Sequence, residues 1–126
     1  MRYRAVIFDL FGTLVPSFTR QEYDPVNAQM AKTVSVPYHQ FWRLIGETFH
    51  DTCLGRYSSI EDNVSDICCR LGVEADMTQV TQSAKYHYEF MANTIVPEPE
   101  VLEALSMLKK RGLKLGLISN CGPSVV

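Results

Sequence analysis

Two short apolar runs near opposite ends of the chain limit what it can fold into. Ala5–Phe8 (AVIF) is continuously apolar rather than alternating, and it stops abruptly at Asp9. Such a run suits a parallel strand buried on both faces. Leu113–Ser119 (LKLGLIS) reads as a second strand of the same kind. Ahead of it, Val101, Leu102, Leu105 and Leu108 recur at helical spacing. Pro99 suits that helix's first turn, and Glu98 and Glu100 suit its positive end. Lys109, Lys110 and Arg111 fit its C-terminus, with Gly112 as the left-handed stop. A helix, a glycine and a strand in this order make half of a βαβ crossover, whose strands run parallel.

Between the two runs no strand pattern is found; the segment reads as helices. Asp24-Pro25 opens one helix, and a second starts near Pro37 with Phe41, Trp42, Ile45 and Phe49 on one side. Ser58-x-x-Glu61 resembles a capping box ahead of Ile60, Val64, Ile67, Cys68 and Leu71, with Gly72 ending that helix. Asp76 caps a fourth helix carrying Val80, Ala84, His87 or Tyr88, and Met91. No repeats or low-complexity tracts interrupt this order.

Composition removes several function classes. The 126 residues suffice for one modest domain, and 46% hydrophobic with 21% charged is ordinary for a globular protein. A net charge of −2 gives no electrostatic case for nucleic acid or an anionic membrane. The apolar runs are far too short for a bilayer span, and MRYRAVIF lacks the layout of a signal peptide. Cys53, Cys68, Cys69 and Cys121 form no CxxC pair and stand at no metal-ligand spacing from a histidine. They read as reduced thiols, which points to the cytoplasm.

In parallel α/β sheets, ligands bind beyond the carboxyl ends of the strands. Asp9 closes the first strand, and Ser119-Asn120 closes the last. If the strands are neighbours, all three residues border one crevice. A carboxylate there can attack an electrophile and form a covalent intermediate that water cleaves. A hydroxyl and an amide beside it can hold anionic oxygens. Gly12 lets the turn after Asp9 approach a substrate closely, with backbone N–H groups free to cradle an anion. The same aspartate would also serve as a strand-end turn residue or cap, and Ser-Asn-Cys-Gly would serve as an ordinary loop.

VIFDLFGTLV resembles the first motif of the haloacid dehalogenase superfamily of hydrolases, and LKLGLISN resembles the second. EPEVLEALSMLKKRGLKLGLISN is similar to the helix and strand that carry that second motif in the subgroup with an inserted helical cap. The resemblance implies an α/β fold, a partial Rossmann-like parallel sheet with an all-helical cap. The core would comprise residues 1–16 and 93–126, and the cap residues 17–92. It implies Asp9 as nucleophile, Thr13 as support for the nucleophile loop, and Ser119 and Asn120 as ligands of the substrate's anionic oxygens. In the phosphatase branch it implies Mg²⁺ on Asp9 and on the backbone carbonyl of Phe11. The family's third motif, a lysine or arginine, and its acidic fourth would lie downstream of Val126. This chain alone is therefore expected to hold half a site and to be inactive.

Phe11 stands where most phosphatases of the family carry a second aspartate. That aspartate protonates the leaving alcohol and then activates water, work worth roughly 10²–10⁴ in rate. Phenylalanine cannot transfer a proton, although its carbonyl can still bind metal. Three readings follow. The first is hydrolysis of a small phosphate monoester with Mg²⁺. The second is metal-free hydrolysis of a 2-halo acid, whose leaving halide needs no proton. The third is a family member that only binds. Phe41-Trp42-Arg43 resembles a Trp-Arg pair in the first cap region of the 2-haloacid dehalogenases, which would put Arg43 on the substrate; it also suits the exposed face of an amphipathic helix. Arg56, Tyr57 and His87 read as cap scaffold. The expected partner is a small anionic substrate, with neither nucleic acid nor membrane, and an open sheet predicts self-association.

Overall fold

The computed structural model describes residues 3–125; Met1, Arg2 and Val126, which open and close the expected core, lie outside the described residues. Seven elements follow in order: β1 (Ala5–Phe8), α1 (Arg20–Thr33), α2 (Tyr38–Cys53), α3 (Ile60–Arg70), α4 (Met77–Thr94), α5 (Pro99–Lys110) and β2 (Lys114–Leu117). They divide into two compact units. One joins Met1–Phe18 with Asn93–Asn120; the other joins Thr19–Ala92 with Cys121–Val126.

The α/β unit is small. β1 and β2 pair in parallel, with Ala5 opposite Lys114 and Phe8 opposite Leu117. The α5 helix opens on Glu98 with Pro99 in its first turn, and Gly112 ends it with φ +78°. The sheet is not buried on both faces. Along Ala5–Phe8 exposure alternates, and Ile7 is 63% exposed. This unit has two strands and one helix among the described residues, and two of the four residues of β1 and three of the four of β2 are exposed. Among the described residues, the buried apolar ones of this unit are Leu10 and Val15, in the loop after β1.

The helical unit holds the larger core. Met30, Val34, Phe41, Val64 and Ile67 are completely buried, joined by Ile60, Val80 and Ala84. Three local expectations need correction. The α1 helix starts at Arg20 rather than at Asp24-Pro25, because Thr19 and Glu22 form a capping box. Pro25 then lies inside the helix, where it has no N–H to donate to the carbonyl four residues earlier. The α3 cap is Ser59, not Ser58: its hydroxyl accepts from the Asp62 N–H at 3.1 Å. The buried face of α2 is Phe41, Leu44 and Thr48, while Phe49 is exposed. Thr48 can go inside because its hydroxyl donates to the Leu44 carbonyl at 2.8 Å and accepts from Asn63 Nδ2 at 3.0 Å. The α4 cap is where it was expected, with Asp76 and Gln79 exchanging backbone and side-chain hydrogen bonds. Among the described residues no helix is long and apolar enough to cross a membrane.

Candidate active site

The β1–β2 ladder brings the two ends together. The Ile118 N–H donates to the Phe8 carbonyl at 2.9 Å, one step beyond β2. Asp9 and Ser119 are therefore the first residues past the paired region, on adjacent parallel strands that lie about 4.8 Å apart. Asn120 follows, and all three leave the sheet at its carboxyl end. Asp9 and Asn120 are exposed, while Ser119 is half-buried.

The loop after Asp9 is tightly organised. Asp9 Oδ1 accepts from the Leu10 N–H at 2.7 Å, which orients the carboxylate. The Leu10 carbonyl accepts from the N–H groups of Thr13, Leu14 and Val15, at 3.2, 2.9 and 3.1 Å. The Gly12 N–H donates to the Val15 carbonyl at 2.8 Å, so Phe11 and Val15 form a parallel bridge. That bridge uses the carbonyl of Leu10 and the N–H of Gly12; the Phe11 carbonyl takes no part in it. Gly12 has φ +75°, a conformation that a side chain would strain. Thr13 is exposed within this turn.

The Phe11 ring packs edge-on against Phe18, with centroids 5.7 Å apart. Its side chain is thus an anchor of the loop, and Phe18 is a partner that nothing in the sequence pattern singles out. Two oxygen donors from this chain could face a cation here, the Asp9 carboxylate and the Phe11 carbonyl. Among the described residues no group of three or more His, Cys, Asp or Glu gathers as a metal site. Mg²⁺ commonly takes one or two carboxylates and fills its other positions with water and substrate oxygens, so the pair fits as a partial holder.

Arg43 belongs to the helical unit, on the exposed face of α2. Its guanidinium lies 3.2 Å from Glu47 Oε1, one turn along the helix. The neighbouring Trp42 ring is covered by Arg20, whose guanidinium carbon is 3.6 Å from the ring centroid. Arg56 pairs with Asp51 at 2.7 Å, and Tyr57 donates to Asp66 at 2.6 Å. All four cysteines are free; Cys68 is buried and its neighbour Cys69 exposed.

The parallel strand pair thus carries an aspartate past the carboxyl end of one strand and Ser-Asn past that of the other. A family model for haloacid dehalogenase-like hydrolases matches residues 3–124. The chain therefore belongs to the haloacid dehalogenase-like hydrolases. It is similar to (S)-2-haloacid dehalogenase H-109 of Pseudomonas putida, at 27% identity across 91% of this chain and 50% of that protein. The chain thus spans about half the length of this curated relative.

Proposed function

We propose that this chain supplies the nucleophile and the anion-holding pair of a hydrolase that displaces halide from a small 2-halo acid. The observation that carries this reading is Phe11. Two residues beyond the nucleophile stands a ring packed on Phe18, with no proton to give. A halide leaves as an anion and needs none. The curated relative, itself a 2-haloacid dehalogenase by name, supports the same direction.

In the proposed reaction Asp9 Oδ2 attacks the halogen-bearing carbon. The C–O bond forms as the C–halogen bond breaks, and the halide takes the bonding electrons. Ser119 and Asn120 hold the substrate carboxylate. Water then adds to the ester carbon of Asp9, the acyl C–O bond breaks, and a 2-hydroxy acid leaves with the Asp9 carboxylate restored and one proton released. The Leu10 N–H on Oδ1 polarises the ester carbonyl for that second step.

A second reading has an observation of its own. The Phe11 carbonyl lies outside the bridge that organises its loop, two residues from Asp9. Asp9 and this carbonyl would hold Mg²⁺ for hydrolysis of a phosphate monoester, the cation offsetting repulsion between carboxylate and phosphate.

Metal dependence separates the two. With the full-length protein, the first reading expects halide release from 2-halo acids that a chelator leaves intact and that Asp9→Asn lowers by about 10³-fold or more. Chelator-sensitive phosphate release would favour the second. Undiminished turnover by Asp9→Asn would overturn both, and no turnover of either substrate class by the parent protein would leave a binding module.

A further inference from the structure

The residues after Asn120 belong with the helical unit. Two contacts inside that unit hold them. Ser124 Oγ lies 2.8 Å from Nε2 of His87, on α4, and the Tyr23 hydroxyl of α1 is hydrogen-bonded to the other imidazole nitrogen. The Gly122 backbone runs so close to α2 that a Cβ there would lie 2.8 Å from Thr52 Cγ2. Next along the chain from these two touching residues stand Cys121, just before Gly122, and Cys53, the last residue of α2.

Both thiols are free and half-buried. Burial pushes the Cys53 thiol up, and the charge of a Cys121 thiolate adds to the rise. Two thiols that oppose each other's ionisation across a tight backbone contact are near neighbours, because such repulsion weakens with distance and is screened by salt. The remaining cysteines have no such partner relation. Cys68 is buried in the helical core, and Cys69 is exposed on the same helix, turned about 100° from it.

We propose that Cys53 and Cys121 form a reversible disulfide site that fastens the segment after Asn120 to the C-terminal end of α2. The pairing lies within the helical unit and is independent of the reaction at Asp9. The oxidant is a small-molecule disulfide of the glutathione class. One protein thiolate attacks it and releases one glutathione thiolate. The second protein thiolate then attacks the mixed disulfide, the Cys53–Cys121 S–S bond forms, and the second glutathione leaves. The two thiols lose two electrons and two protons, and one glutathione disulfide becomes two glutathiones. The product carries neither ionisable group, so the mutual repulsion is gone. The bond closes a loop of roughly 70 residues, long enough to restrict the unfolded chain strongly.

The test is equilibration of the folded full-length protein with glutathione disulfide, followed by acid quenching and peptide mass spectrometry without reduction. The peptide containing Cys53 should be joined to the one containing Cys121 within a single chain, with Cys68 unmodified. The oxidised protein should melt roughly 5–15 °C higher than the reduced one, and dithiothreitol should reverse both changes. Cys69→Ser should behave like the parent, while Cys121→Ser should show neither the joined peptides nor the rise. Recovery of Cys53 and Cys121 as free thiols, as separate glutathione adducts, or joined only between chains would overturn the proposal. So would a joined form that melts no higher than the reduced protein, or a rise in Tm that persists in Cys121→Ser.

Discussion

Phe11 shows how one side chain sets both structure and chemistry. Its ring fixes the loop after Asp9 against Phe18, and the same ring denies the loop a proton donor. Phe11→Ala should therefore destabilise the protein by about 1–2 kcal/mol, measured by denaturant unfolding, because a half-buried aromatic pair is lost. The absence of an acid at this position was legible in the sequence; the partner ring was not, since Phe18 lies seven positions on with no periodic relation to it. His87 was read as scaffold, and sequence alone held no signal that Tyr23 and Ser124 would close on its two nitrogens. Its titration gives a pH prediction. The folded pKa of about 4 lies below the ordinary value of 6.5, so the unfolded chain takes up the proton first. Stability from this group is intact above about pH 6.5 and is lost as pH falls toward 4, by an amount on the order of 3 kcal/mol. His87→Gln should flatten that part of the stability profile, as followed by thermal unfolding between pH 4 and 7.

At the scale of elements, helix ends carried the clearest signals, and their frames were where reading failed. Gly72 and Gly112 take up the left-handed positions expected of them, with φ +66° and +78°. Asp24-Pro25 looked like a helix start because proline suits a first turn, yet the reciprocal bonds between Thr19 and Glu22 set the true start five residues earlier. Thr19→Ala should cost about 1 kcal/mol. Between α1 and α2, Ser35 occupies the left-handed region with φ 58°, and Val36 N–H returns to the Ala31 carbonyl at 2.9 Å. Ser35→Gly should stabilise the helical unit by roughly 1 kcal/mol, seen as a raised Tm, because glycine adopts this conformation without strain. The α2 face was misread for a different reason. Phe49 is apolar and Thr48 is not, but Asn63 supplies a buried partner from α3, and a partner 15 residues away leaves no periodic trace.

For the whole molecule, the order strand, helices, helix, strand was legible because parallel pairing demands a crossover and because apolar periodicity changes between the runs. Burial of the sheet was not, since it depends on what packs on each face. Ile7, Leu117 and Ile118 are 63%, 53% and 68% exposed, and each strand of a two-stranded sheet has one open edge. Edges and faces of this kind associate. Light scattering on this chain at tens of micromolar should show a mass above that of a monomer, with Ile118→Lys lowering it; a monomer across that range would contradict the prediction.

In the proposed reaction Asp9, at the sheet end it shares with Ser119-Asn120, makes the covalent bond to substrate. Repeated turnover by the full-length protein in water enriched in ¹⁸O tests it most directly, because hydrolysis of an aspartyl ester at its acyl carbon leaves solvent oxygen in the side chain. Mass spectrometry of the peptide containing Asp9 should show incorporated ¹⁸O after many turnovers. A product carrying the label in its new hydroxyl, with Asp9 unlabelled, would mean that water attacks the substrate directly and that Asp9 is not the nucleophile.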